Sequence, residues 1–473
     1  MVRRSVLAIS AAGLVCLCTA LSGSALASPA GGVKGEPQPD HKPFKIGGAS
    51  TAGGVTLDGA GAVVAYGVAG KTSQIVVCTI NPGGRKCSLR VALTTPDSGA
   101  LTPYGVTGVF VPSADRIAVL QNTCCDTATD GDTLLYTSTD NGHTFGAPVR
   151  VGNLGVGASV LIGNDIVFTA GDVSGTHVES IPVAASGPPS LIATLTSSQA
   201  VDVGIGDDHG AVLAGFDILT SDYTTHIYYA PSGANFDLSS SYKEVATFAH
   251  EQLLGVSGDA VLTEPTTGKP RALLRFCTSK GCGAAHEVPA LHRHGPNAFG
   301  IDQDPAGVTH VFSSGVQEKP LYDLIDLATS AGTHWSSLNA GNGINSTSFA
   351  AALDSRGAGL VLGSSPSTAW GYPVLIPQTV SFALKSSSIR KGRSTVASGR
   401  VRPAERGLTV VLQVERSGRW YTVATTHESA SGAFSFKIKG ARTGIFPYRA
   451  VTSNIPGIFL YGYSGTRSLT VTR

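Results

Sequence analysis

Charge is scarce in this sequence. Asp, Glu, Lys and Arg make up 14% of its 473 residues, against roughly 25% in an average soluble domain. That excludes a disordered polyelectrolyte, which needs high charge and low hydrophobicity to stay unfolded. Helical periodicity is missing too. No long stretch places apolar residues at i, i+3, i+4 and i+7, which excludes a helical bundle. Beyond the first 27 residues no apolar run is long enough to span a bilayer. There is one Met, while Gly occurs 59 times, and Ala, Val, Thr and Ser fill much of the remainder. The composition is that of an all-β globular protein, long enough for more than one domain.

The opening residues, "MVRRSVLAISAAGLVCLCTALSGSALASPA", carry Arg3 and Arg4, an apolar stretch, and Ala25-Leu26-Ala27 before Ser28. This pattern predicts a signal peptide over 1–27 and export of the rest. A lipoprotein start would need a small residue before the cysteine, and Val15 and Leu17 stand there instead. A low-complexity linker is expected over 28–43. Six cysteines follow: Cys78, Cys87, Cys124, Cys125, Cys277 and Cys282. An even number in an exported chain points to disulfides. "CTINPGGRKC" and "CTSKGC" each flank a turn, which favours the pairs Cys78–Cys87 and Cys277–Cys282. Cys124 and Cys125 would then form a vicinal disulfide or stay as thiols. No second Cys or His pair stands at zinc-finger spacing.

A unit of apolar strand, Asp- or Gly-containing turn and apolar strand recurs seven times, from Gly53, Gly105, Gly157, Val201, Leu253, Ala298 and Phe349. The starts step by about 45–52 residues, the length of a four-stranded propeller blade. The first strand of most copies is rich in Gly, Ala, Ser and Val, which suits an innermost strand crowded by its neighbours. A second hairpin follows each of the first six copies. The seventh lacks a fourth strand, which "PFKIGGAS" near the start can supply. The expected fold is a seven-bladed β-propeller over 44–378, with six blades as the alternative count.

One outer turn, "STDNGHTF", places Ser138, Asp140, Gly142, Thr144 and Phe145 in the pattern S-x-D-x-G-x-T-F/W. Decayed copies keep Gly233 with Phe236 and Gly332 with Trp335. On these residues the chain resembles the Asp-box (BNR-repeat) propellers, a class that includes sialidases. The likeness covers roughly residues 46–378. It implies that the box is a structural turn on the face away from the ligand. Asp accepts backbone N–H bonds there, Gly supplies positive φ, and the aromatic packs beneath.

From Thr379 the period stops, and short alternating strands with frequent turns predict a β-sandwich over 379–473. Gly399, Pro403, Trp420, Gly432, Phe434 and Tyr448-Arg449 resemble the Ig-like or prealbumin-like modules appended to exported bacterial proteins. Charge divides the chain at this boundary. Residues 379–473 hold 15 Lys+Arg and 3 Asp+Glu, while the propeller side without the leader is acidic by 12, so the overall +2 conceals two opposite halves. A basic exported module is suited to anionic polymers. Nucleic acid is not an expected partner, because no aromatic-interleaved stacking pattern is present.

The ligand face of a propeller is built from the B–C loops and the D–A crossings. Its candidates are Tyr104, Asp126, Asp130, Asp132, His250, Glu251, His294, Trp370 and Tyr372. Asp126, Asp130 and Asp132 form the one acidic cluster that can suit calcium, although the order is not that of an EF-hand and a solvated loop is the plainer reading. His292 and His294 alternate as H-x-H, and His250-Glu251 is a conceivable acid/base pair. Trp370, Tyr372 and Tyr104 can stack on sugars or be core.

The sialidase expectation fails on its residues. A substrate carboxylate needs several arginines, and the F/Y-R-I-P motif is absent: Arg116-Ile117 is followed by Ala118, with no aromatic before it. No catalytic residue is assigned on sequence grounds. The expected function is a secreted, monomeric, non-catalytic propeller that binds an extracellular glycan, wall polymer or protein, without a cofactor. The alternative is a divergent sialidase-like glycoside hydrolase or polysaccharide lyase.

Overall fold

The repeated units fold as the hairpins that their alternation and turns dictate. A computed structural model describes residues 43–473 apart from 95–104, 124–131, 232–241, 289–298, 315–322, 343–347, 453–459 and shorter stretches in other loops. Within it, seven antiparallel sheets follow one another along the chain. Their innermost (A) strands are Thr51–Leu57, Val106–Ser113, Gly155–Ile162, Ala200–Asp208, Glu251–Ser257, Phe299–Gln303 and Ser348–Leu353. Each A strand contacts the A strand of the next sheet, and the seventh contacts the first. The ring is therefore closed, with seven blades. Strand Phe44–Gly47 pairs with Thr368–Val374 and completes blade seven from the other end of the chain. Closure removes the free sheet edges that would otherwise template aggregation.

Glycines explain how the A strands fit. A Cβ at Gly54 would meet Val109, at Gly157 Val203, at Gly204 Val256, at Gly255 Ile301 and at Gly300 Phe349, in each case a residue of the next blade. At each of these steps one glycine leaves room for one larger side chain of the next blade, whereas the seventh A strand, Ser348–Leu353, has no glycine. The second (B) strands are covered on both faces by neighbouring blades, so they read as unbroken apolar runs. Val63, Val64, Ala65 and Tyr66 are all fully buried. Each such Val, Leu or Ile contributes roughly 1.5–3 kcal/mol of burial.

In blades one to five the A–B pairing shifts register near the start of the A strand, whereas blades six and seven pair without a shift. A bulge frees backbone groups that a buried polar side chain must satisfy. In blade three Thr169 does so, its Oγ1 accepting from the Ala158 N–H at 3.0 Å.

The turn 138–145 is a closed hydrogen-bond system. Ser138 Oγ donates to Asp140 Oδ1 at 2.7 Å and accepts from the Gly142 N–H at 2.8 Å. Asp140 accepts from the Thr144 N–H at 2.9 Å and from Thr144 Oγ1 at 2.6 Å. Asn141 and Gly142 have φ of 58° and 81°, the left-handed region the turn requires. The Asn141 N–H donates to Asp115 O in the A–B turn of the same blade, and Phe145 packs on the core beneath. The hydrogen bonds from Thr144, then that from Ser138, hold the Asp140 carboxyl down at about 2.

Both local disulfides form, Cys78–Cys87 and Cys277–Cys282. Cys124 and Cys125 lie outside the described residues.

After Val374 the chain builds a β-sandwich. One sheet has Ser394–Arg402 between Thr379–Leu384 and Ala433–Lys439. The other centres on Thr409–Arg416 and Gly444–Thr452 and includes Ile376–Pro377, Ser388–Arg390, Arg419–His427, Leu460–Tyr463 and Arg467–Thr472. Strict alternation sends Val380, Phe382, Val401, Phe434 and Phe436 into a core shared with Leu412, Ala450 and Leu469 of the second sheet.

Candidate functional site

Strand register separates the end of the ring that carries the D–A crossings and B–C loops from the end that carries the A–B and C–D turns. In blade five Glu251 opposes Pro265, so the D–A crossing lies at the end where strand B hands over to strand C. The A–B turn at 257–260 and the Cys277–Cys282 turn lie at the other end. The turn at 138–145 occupies that second end in blade two, bonded to Asp115.

At the crossing between blades four and five, His250 has φ 62°. Its N–H donates to Tyr223 O at 2.8 Å, and its carbonyl accepts from the Thr266 N–H at 2.9 Å. The backbone thus ties two B–C loops together, while the imidazole is exposed. Glu251 faces the other way. Arg275 Nη1 donates to Glu251 Oε2 at 2.7 Å and Nη2 to Oε1 at 2.8 Å, a bidentate clamp. Thr263 Oγ1 donates to the same carboxylate at 2.5 Å and accepts from Arg275 Nη1 at 2.9 Å. The guanidinium lies 4.1 Å from the ring centroid of Phe248 in blade four, and the side chains of Arg275 and Glu251 are 10% and 15% exposed. Glu251 is therefore not open to act with His250 as an acid/base pair. Its charge is consumed within blade five, and the clamped Arg275 makes the contact to Phe248 of blade four.

The other candidates separate. Trp370 is half-buried and packs against the core of blade seven. Tyr372 is 1% exposed and meets Phe349 edge-on at 6.4 Å, so its ring is core and not a sugar platform. Asp132 begins the strand Asp132–Ser138 opposite Thr123. Tyr104, Asp126, Asp130, His292 and His294 lie outside the described residues. Among the described residues no group of three or more His, Cys, Asp and Glu is placed to hold a metal ion, and no helix is long and apolar enough to cross a membrane.

Two features escaped the sequence reading. Arg275 interrupts the apolar strand "LLRFCT", and a lone cation in a buried strand demands a carboxylate nearby. Glu264, at the end of strand B in blade five and opposite Gln252, has its carboxyl pushed up by burial.

The sandwich presents a second surface. On the outer side of its three-stranded sheet Arg400, Arg402, Lys437 and Lys439 are exposed, and among the described residues none of them forms an ion pair.

No protein-family model matches the chain, and no curated protein does. Among solved structures it is similar to an alpha-L-arabinanase of Penicillium chrysogenum complexed with arabinobiose, at 12% identity over 63% of this chain and 98% of that one, with a TM-score of 0.38. It is also similar to a GH93 alpha-L-arabinofuranosidase of Fusarium graminearum, at 10% identity over 59% and 93%, TM-score 0.36. An exo-beta-1,3-galactanase of Phanerochaete chrysosporium aligns at 10% identity over 79% and 97%, TM-score 0.33. At these values the likeness carries no argument about activity, and the assignment of a seven-bladed propeller followed by a β-sandwich stands on the strand pairing itself.

Proposed function

We propose that this is an exported binding protein in which an Asp-box-type propeller presents the ligand face and the basic sandwich holds the molecule near an anionic extracellular polymer. One observation carries the reading. The 15 basic residues of 379–473 face only 3 acidic ones, and cations of its outer sheet face have no carboxylate partners among the described residues. Unpaired cations on one surface draw anionic polymers, with an attraction that salt screens. The expected result is retention of the full chain on immobilised wall teichoic acid at low salt, falling about tenfold or more between 50 mM and 500 mM salt as the Debye length shortens. Salt-independent retention, or none, would overturn the electrostatic role.

A second reading, a divergent glycoside hydrolase, draws support from Glu264. A carboxyl raised by burial at the ligand-face end of a blade has the environment of a general acid. Turnover on a panel of aryl-glycosides and polysaccharides, abolished by Glu264→Gln, would establish it. Activity that survives that change removes Glu264 from the chemistry.

A further inference from the structure

The outer face of the three-stranded sheet contains a groove. Its volume is about 580 Å³, and Ser381, Ser398, Gly399, Arg400, Ala433 and Arg467 are among its lining residues. Arg400 comes from the middle strand of one sheet and Arg467 from the last strand of the other, so the groove is bounded by cations of both sheets. Gly399 turns its missing side chain inward, where a Cβ would meet the Phe434 ring and the Ser381 carbonyl, so the middle strand lies close on the core here while Ser398 and Arg400 face outward. Both guanidinium groups belong to exposed residues, and among the described residues no acidic side chain lines the groove. Two like charges bounding one depression favour an anion between them.

The face continues beyond the groove. Side chains alternate along a strand, so Arg402 leaves on the same side as Arg400, two residues on, and Lys437 and Lys439 do the same on the neighbouring strand. Lys437 stands opposite Val396 and Lys439 opposite Ser394, while Arg400 stands opposite Ser381. Between them lie Ser398 and Ser435, a smooth polar strip. Successive cations along one strand are about 6.5–7 Å apart, twice the strand rise. Phe382 and Phe434 also line the groove, but at 6% and 5% exposed they belong to the core and offer little ring face to a ligand. Sugar-face stacking is therefore not the means of recognition, and the surface selects for closely spaced charge.

We propose that the groove seats one phosphate of an extended phosphodiester-linked polyol polymer between Arg400 and Arg467, with Arg402, Lys437 and Lys439 meeting neighbouring phosphates. The proposal rests on the anionic-polymer reading above and gives it a site and a ligand class.

The test uses the full chain and a short synthetic glycerol-phosphate oligomer, with binding followed calorimetrically at low salt. R400Q/R467Q is expected to weaken binding at least tenfold. R390Q/R393Q, which removes the same charge from the turn that leads into the middle strand and lies outside the groove, is expected to weaken it no more than about twofold. Unchanged thermal melting of both variants shows that the fold is intact. Equal losses in the two variants overturn the groove while leaving the polymer reading standing. Failure of the unaltered protein to bind either the oligomer or purified wall teichoic acid overturns both. Tighter binding to oligogalacturonate, or to a DNA duplex of equal charge, overturns the phosphodiester-polyol assignment.

Discussion

Asp140 shows how a single side chain in this chain is committed to architecture. Its carboxylate is held at about 2 by hydrogen bonds from Thr144 and then from Ser138, against an ordinary 3.8. A carboxyl depressed on folding stabilises the folded state above its unfolded value, and that stability is lost as pH falls through the folded value. Replacing Asp140 with Asn is therefore expected to lower the melting temperature at pH 6, with the gap closing as pH falls from about 4 to about 2. A gap that stays constant with pH would remove the ionised carboxylate from the account. Glu251 is committed in a different way. Glu251→Ala leaves the Arg275 guanidinium buried against Phe248 without its counter-ion, a change that costs about 3–5 kcal/mol. The double variant Glu251→Ala with Arg275→Met is expected to recover part of that loss, as measured by denaturant unfolding. Legibility at this scale was uneven. The turn residues were readable because one short motif holds donor, acceptor and positive-φ glycine together. The ion pair was not, because its partners are 24 residues apart and meet only when three strands of a blade align.

At the scale of an element, the A strands are the constrained part. Gly204 lies against Val256 of the next blade, and a Cβ there would come within 3 Å of its side chain and backbone nitrogen. Gly204→Val is expected to destabilise by about 1–3 kcal/mol or more by overpacking, whereas Gly163→Ala, in a turn where a Cβ meets nothing within 4 Å but φ is 62°, carries only the conformational strain of about 1 kcal/mol. Comparison of the two melting shifts separates crowding from strain. The small residues of these strands were visible in the sequence and pointed correctly to the centre of the ring. Which neighbour each glycine accommodates was not, since that depends on the rotation from blade to blade.

Across the whole molecule, closure by Phe44–Gly47 is the decisive contact, because it joins the two ends of a ring otherwise made of sequential hairpins. Phe44 and Ile46 are buried in the cluster that also holds Val64, Tyr66 and Leu362. Phe44→Ala combined with Ile46→Ala is expected to lower stability by about 5 kcal/mol or more, from the burial and cavity costs of two core side chains. Proteolysis that begins in blade seven would locate the opening there. Initial cleavage in the sandwich would show that the ring does not depend on this strand.

The sequence by itself determined the all-β class, seven repeats, the strand that completes the seventh, both local disulfides and the charge division near residue 379. All of these follow from local chemistry: alternation, turn residues, short cysteine spacing and composition need no knowledge of distant contacts. Tertiary structure alone decided which polar residues are available. It buried Tyr372, closed Glu251 onto Arg275, and raised the Glu264 carboxyl by burial. It also brought Arg400 and Arg467 to one groove from different sheets. These depend on strand register and on the packing of one sheet against another, which bring together residues that no short window of sequence contains.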